Sequence, residues 1–296
     1  MTLHLPLEPP ALSLPLPARS SVTEAPAFAR PPLSDWAGEL DALGVQQDWP
    51  ALSRLEAQRV AAERADGVAR PHFVAQSPQL LADGLHYEQR IREGRLATRE
   101  HNWHDLLNGL VWLRYPRVKW ALNRAQCAGI AAVGPRQRTR AQCALTHFDE
   151  AGAVVLCSDP ALVALWDRHD WRGLFGGERA AWGQRIAVFV FGHAILELAL
   201  QPERLLVAKA VTLIVEPARI AAMATQPGLA RQAVDRDVAA LIERQVLLQD
   251  PQELRPLPLS GVPGWTPAST DDRFFDDAPC FRPLRPGRRY PSPHNA

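Results

Sequence analysis

Apolar residues in residues 100–115 recur at Trp103, Leu106, Leu107, Leu110 and Val111, the three-and-four spacing of one helix face. The opposite face carries His101, His104, Asp105 and Asn108, with Trp112 a turn further on. A solvated helix face is usually built from Lys, Glu and Arg. Imidazoles, an acid, an amide and an indole suit a lined cavity better. Helical periodicity also predicts a helix over residues 34–65, capped by Ser34 and burying Leu40, Leu43, Leu52 and Leu55. Another is expected over residues 73–94, after Pro71, with its acids and bases outward. Pro116 stops the motif helix, because proline cannot continue the hydrogen-bond ladder, and it is placed to open the next helix over residues 117–128.

Past residue 140 the pattern changes. Residues 144–150, then Ala151-Gly152, then residues 153–158 predict a β-hairpin with a glycine in its turn. A helix follows Asp159-Pro160 through Val163, Leu165 and Trp166. Residues 186–191 form a continuously apolar strand, which Gly192 joins to a helix over 193–200, and 209–215 is a further strand. Residues 217–224 and 230–245 are helical, the second through Val234, Val238, Leu241 and Ile242. These elements predict a single α+β domain, with a helical first half packed on a small, mostly antiparallel sheet. The core is expected over residues 34–250, between a Pro-rich arm (1–33) and a Pro-rich tail (251–296) that wraps the body or hangs free.

Composition narrows the partners. With 33 basic and 32 acidic residues among 296, no global field draws the chain to nucleic acid or an anionic membrane. The longest apolar run, 186–200, is interrupted by His193 and Glu197 and is too short to cross a bilayer. The N-terminus lacks a basic start and its apolar part is cut by prolines, which makes a poor signal peptide. Cys127, Cys143, Cys157 and Cys280 show neither close pairing nor metal-type spacing, so reduced thiols and a cytoplasmic location are expected. A small molecule is the expected partner.

Several groups of residues could carry chemistry. Capping explains Asn102 and Asp105, since Asn is a favoured N-cap and an acid in the first turn suits the helix dipole. It leaves His104 and Asn108 unexplained. A neutral histidine is a metal ligand or general base, and Asp105 could orient it. His193 and Glu197 share a helix face in FGHAILELAL, where every other residue from Ala194 to Leu200 is apolar. A buried carboxylate needs a partner or a proton. A metal held by both would satisfy the pair, and so would a His–Glu pair tying helix to sheet. In the expected hairpin, His147 and Asp149 share one strand face and Thr146, Phe148 and Glu150 the other. Lys119 and Asn123 are spaced to face the same cleft as Asn108, although a solvated lysine is the plainer reading. Arg136, Arg138 and Arg140 could grip phosphates, but a soluble loop or edge strand accounts for them. There is no Gly-rich phosphate loop, no GxSxG and no paired CxxC.

NWHDLLNGLVWLRYPRVKWALN (102–123), LTHFDEAGAVV (145–155), FGHAILE (191–197) and GVPGWTP (261–267) together resemble the bacterial family catalogued as domain of unknown function 3025, known mainly from proteobacteria. The resemblance spans roughly residues 35–285 and implies no established activity. Its pattern matches Asn102, Trp103, His104, Asp105, Asn108, Lys119, Asn123, Asp149, Glu150, His193 and Glu197, and does not demand His101 or His147. The leading expectation is a metal-dependent hydrolase with His104, His193 and Glu197 as ligands and Asp105, Asn108, Lys119 and Asp149 in catalytic roles. Zn²⁺, Mn²⁺ or Fe²⁺ suits such mixed ligands better than Ca²⁺. The competing expectation is a non-catalytic binding or scaffold protein whose polar motifs are buried networks, with nine tryptophans available to anchor interfaces.

Overall fold

The computed structural model describes residues 27–45 and 48–296, so most of the expected N-terminal arm lies outside the described residues. The described end of that arm is docked: Ala27, Phe28 and Leu33 are buried in the main core. Two helices, α1 (Ala37–Leu43) and α2 (Leu52–Asp66), replace the single helix expected over 34–65. Gly44 breaks it, adopting φ +69° and returning its N–H to the carbonyls of Leu40 and Asp41. Ser34 lies within a short 3-10 turn, Leu33–Trp36, rather than at a helix start.

The helix expected over 73–94 is instead β1 (His72–Ala75), α3 (Pro78–Leu81), α4 (Tyr87–Arg92) and then β2 (Arg95–Thr98), which pairs in parallel with β1. Ser77 caps α3 by accepting from Leu80 N at 3.1 Å, and Gly84 and Gly94 take positive φ on either side of α4. The motif helix α5 (Trp103–Arg114) starts at its Asn102 cap and stops before Pro116, which opens α6 (Pro116–Val133), longer than expected.

The chain departs from expectation again at 144–158. There is no hairpin: α7 (Arg140–Ala151) runs directly into β3 (Gly152–Cys157). Thr139 and Gln142 form a capping box at the start of α7, and Ala144, Leu145 and Phe148 are its buried face. The rest of the chain supplies α8 (Pro160–Asp167), β4 (Ile186–Val190), α9 (His193–Leu198), β5 (Val207–Ile214), α10 (Pro217–Thr225) and α11 (Pro227–Glu243). After these come β6 (Arg255–Pro258), α12 (Phe274–Asp277) and β7 (His294–Asn295).

The main sheet is ordered β4-β3-β5-β6, with β7 added on β5. It is mixed, not mostly antiparallel: β3 pairs in parallel with β5 in the longest ladder, while β4 and β6 run antiparallel to their neighbours. The lost hairpin explains the difference. With a helix leading into β3, the strand that pairs beside it arrives by a long crossover, as parallel strands require. All six residues of β3 are buried, as expected of a central strand covered on both faces. The C-terminal stretch contributes to this sheet through β6 and β7. Trp36, Trp103, Trp112, Trp166 and Phe148 are among the largest fully buried side chains of one continuous core.

Candidate metal centre

Three helix ends meet at one mouth. His104 comes from the first turn of α5, Glu150 from the last turn of α7, and His193 from the first residue of α9. Two glycines hold α7 and α9 together. A Cβ on Gly192 would meet Gly152 N at 2.4 Å and Glu150 O at 2.5 Å, and a Cβ on Gly152 would meet Phe148 O at 2.2 Å. The backbones touch directly, and the N–H of Gly192 donates to Gly152 O at 2.8 Å. Glu150 and His193 are thereby fixed relative to one another.

His104 Nε2 and His193 Nε2 are 3.1 Å apart, and Glu150 Oε2 lies 3.7 Å from the first and 3.9 Å from the second. Three atoms at those spacings lie on a circle of radius about 2.1 Å, the length of a metal–nitrogen or metal–oxygen bond. Two nitrogens at 3.1 Å cannot both carry protons toward one another. One must donate to the other, or both must present lone pairs to a cation.

The outer nitrogen of His104 is arranged to suit the second case. Nδ1 of His104 faces Asp105 Oδ1 at 3.4 Å. Asp105 is itself clamped: Arg99 donates from Nε and Nη2 at 2.9 and 2.8 Å and from its backbone N at 2.8 Å. Burial alone would raise the Asp105 pKa, but the Arg99 fork outweighs it and holds the carboxyl well below the usual carboxylate range. Nδ1 of His193, a residue 3% exposed, has no hydrogen-bond partner, and its nearest carboxylate oxygen is Asp149 Oδ2 at 3.9 Å. Only the His104 imidazole therefore has a hydrogen-bonded carboxylate behind it, the arrangement that orients metal-ligating histidines; Asp149 stands behind His193 beyond hydrogen-bond reach.

The charges separate accordingly. Burial would lower the pKa of His104, but Asp105 and Glu150 outweigh it and raise it to about 9. Burial, then the His104 and Lys119 cations, push His193 well below its ordinary value. Burial opposes ionisation of Glu150 as well, yet the two imidazoles beside it leave its pKa lowered. These directions make His104 the proton-bearing imidazole of the pair and His193 the neutral one.

A cavity of about 450 Å³ extends from this cluster. Asn108, Lys119, Asn123, Asp149 and Glu197 all line it, as do Tyr87, Glu88 and Trp112. Lys119 is 4% exposed, not solvated, and donates to Asp149 Oδ1 at 2.5 Å and Asn108 Oδ1 at 2.9 Å. Asn108 in turn donates to the Tyr87 hydroxyl at 2.9 Å. Glu197 faces the cavity, its pKa raised by burial, but Glu150 is the carboxylate that completes the close group with the two histidines.

Other sequence candidates lie elsewhere. His101 has φ +54° and stacks obliquely near Trp49, and His147 is an exposed residue of α7 rather than a strand neighbour of Asp149. Arg140 pairs with Asp250 on the surface, while Arg138 reaches the cavity lining. Sequence reasoning missed Tyr87 and Glu88, which stood in the segment expected to be one helix with its acids and bases outward, and placed Glu150 on a strand, whereas it lies in the last turn of α7. Burial pushes the Glu88 pKa up to about 7. The four cysteines are free thiols, and no helix among the described residues is long and apolar enough to cross a membrane.

No curated protein and no solved structure matches the chain. The motifs pointed to kinship from about residue 35, and the family match begins later. The model of the family described as "Protein of unknown function (DUF3025)" matches residues 71–285, and the chain belongs to that family.

Proposed function

We propose that the protein is a metal-dependent hydrolase whose divalent ion is held by His104, His193 and Glu150. One observation carries the reading: the three ligand atoms stand at the spacing of a single coordination sphere, with side chains reachable from solvent (24% exposed for His104, 37% for Glu150). Two histidines and a carboxylate with an open position are a common catalytic set for Zn²⁺, and they also suit Mn²⁺ or Fe²⁺. A bound ion supplies a water whose pKa falls to near 7. The chain's own groups account for the rest. Asp105 steadies the His104 imidazole from behind, and Asp149 faces His193 Nδ1 across 3.9 Å. Glu197 stands in the cavity as a carboxylate free to take a proton from the attacking water. Lys119 and Asn108 form a fixed polar wall against which a substrate is oriented. A scaffold with separate buried His–Glu pairs would hold its histidines apart and sealed; here the imidazoles converge on a cavity.

The test is elemental analysis of protein purified without an affinity tag, followed by Zn²⁺, Mn²⁺ and Fe²⁺ titration with thermal unfolding. One tightly held ion per chain is expected. At a free-ion level a hundredfold above Kd, binding stabilises the fold by about 2.7 kcal/mol, a rise in Tm of about 4–5 °C for a chain of this size. Metal lost on dialysis together with no shift from any divalent ion overturns the proposal.

A further inference from the structure

The wall of the cavity formed by α4 and α6 has a polarity pattern that the metal reading does not use. Lysine has only donors, so Lys119 Nζ fixes the Asn108 amide with Oδ1 toward it and Nδ2 toward Tyr87. The Tyr87 oxygen is then the acceptor in that bond. Its own hydroxyl hydrogen has no acceptor assigned and is free to donate into the cavity. Next to Tyr87 on the first turn of α4, Glu88 accepts from Asn123 Nδ2 through both its backbone O (2.8 Å) and Oε2 (2.7 Å). Both neighbours are acceptors, so the Asn123 amide is fixed as well, and its Oδ1 is left over. Asn123 is 1% exposed, lines the cavity, and has no partner for that oxygen. An unpaired buried acceptor is costly unless something fills it.

The lining of this cavity thus holds one donor, Tyr87 O–H, an orphaned acceptor, Asn123 Oδ1, and the Glu88 carboxyl. Trp112, Leu122 and Leu145 supply apolar surface in the same cavity. We propose that the substrate presents a neutral amide-type edge to this wall, an N–H adjacent to a C=O as in a lactam or a nucleobase, which Tyr87 and Asn123 read by a donor–acceptor pair. An anionic group matches this part of the wall poorly, because its acceptors would repel it and the Lys119 charge is taken up by Asp149; Arg138, elsewhere in the lining, is the competing anion contact that the phosphate probe tests. The proposal rests on the cavity being the substrate site of the hydrolase.

The probes are 2-piperidone and uracil, their N-methylated analogues, and inorganic phosphate, titrated calorimetrically into the Zn²⁺-loaded full chain. The N–H probes are expected to bind, with N-methylation or Tyr87→Phe each weakening binding three- to tenfold, the range of one neutral hydrogen bond. Uracil alone binding places the edge on a nucleobase, and both binding places it on a simpler amide; either supports the proposal. Thermal unfolding checks that Tyr87→Phe is folded, and the N-methyl probes test the same contact on the unaltered protein. Phosphate binding in place of the amides, or equal affinity for methylated and unmethylated probes, overturns it. Zn²⁺ titration run beside these keeps the two readings apart. Zn²⁺ bound without amide recognition refutes the substrate class alone, and amide recognition without Zn²⁺ refutes the metal centre alone.

Discussion

Lys119→Met removes an ammonium while keeping an unbranched apolar stem, and its cost follows from what it leaves behind. Lys119 is 4% exposed, bonded to Asp149 at 2.5 Å and Asn108 at 2.9 Å, with the Trp112 ring 5.4 Å from its nitrogen. Breaking a fully buried ion pair from one side costs about 3–5 kcal/mol, because the other charge stays buried and uncompensated. Asp149 keeps 26% side-chain exposure, so water recovers part of that loss, and a cost of about 2–3 kcal/mol is expected. An ion pair on the open surface would be worth about 0–1 kcal/mol. The assay is urea unfolding at pH 7 of Lys119→Met, Asp149→Asn and the double variant. A coupling energy of about 1.5 kcal/mol or more is expected from the cycle. A single-variant loss under about 1 kcal/mol with no coupling beyond about 0.5 kcal/mol would refute the claim that this pair is an interior strut of the site.

Protonation sets the pH dependence of the metal centre. With its pKa raised to about 9, His104 must release a proton before it can ligate, so Zn²⁺ affinity should climb up to tenfold per pH unit from 7 to 9 and level off above; a flat profile refutes the assignment. The same group contributes stability that is complete below its unfolded pKa near 6.5 and lost as pH rises through 9, so the metal-free stability gap between wild type and His104→Gln should shrink over that window by on the order of 2 kcal/mol. Gly192→Ala should cost about 1–3 kcal/mol and weaken Zn²⁺ binding, since its methyl would part Glu150 from His193; unaltered affinity in calorimetry would show that this backbone contact does not set the site. Glu88, raised to about 7 by burial, loses folded-state stability as pH rises from about 4.5 through 7, so Glu88→Gln should stabilise the fold at pH 8 and have little effect at pH 4.5, read by thermal unfolding at the two pH values.

His104 and His193 were legible because each is a polar residue at helical spacing among apolar ones, which a cavity or a network explains; Lys119 was less so, because a solvated lysine was its plainer reading and only the fold buries it. Glu150 was not legible. Residues 144–158 carry enough apolar residues to fit a hairpin or a helix followed by a strand, and Ala151-Gly152 reads as a turn in the first and a junction in the second. The signal that separates them lies upstream, in the capping box of Thr139 and Gln142 that commits the next residues to a helix. Tyr87 and Glu88 stayed hidden for a related reason: the apolar spacing over 73–94 spans two short helices and two strands, and Gly84 and Gly94 were the breaks that mattered. The parallel pairing of β3 with β5 depends on a connection of about fifty residues, which no local pattern encodes.

The family match starts at residue 71, yet the helix that carries His104 is backed by what precedes it. Phe28 and Trp49 pack on Trp103, Trp36 packs on Tyr115, and Arg114 lies over the Trp36 ring while pairing with Glu39. A fragment cut to the matched boundaries would bare this aromatic flank of α5. It would retain every proposed metal ligand and lose the backing that holds one of them against the other two. The unit that can be produced, crystallised or transplanted as a working centre therefore begins before residue 28, upstream of the segment by which its relatives are recognised.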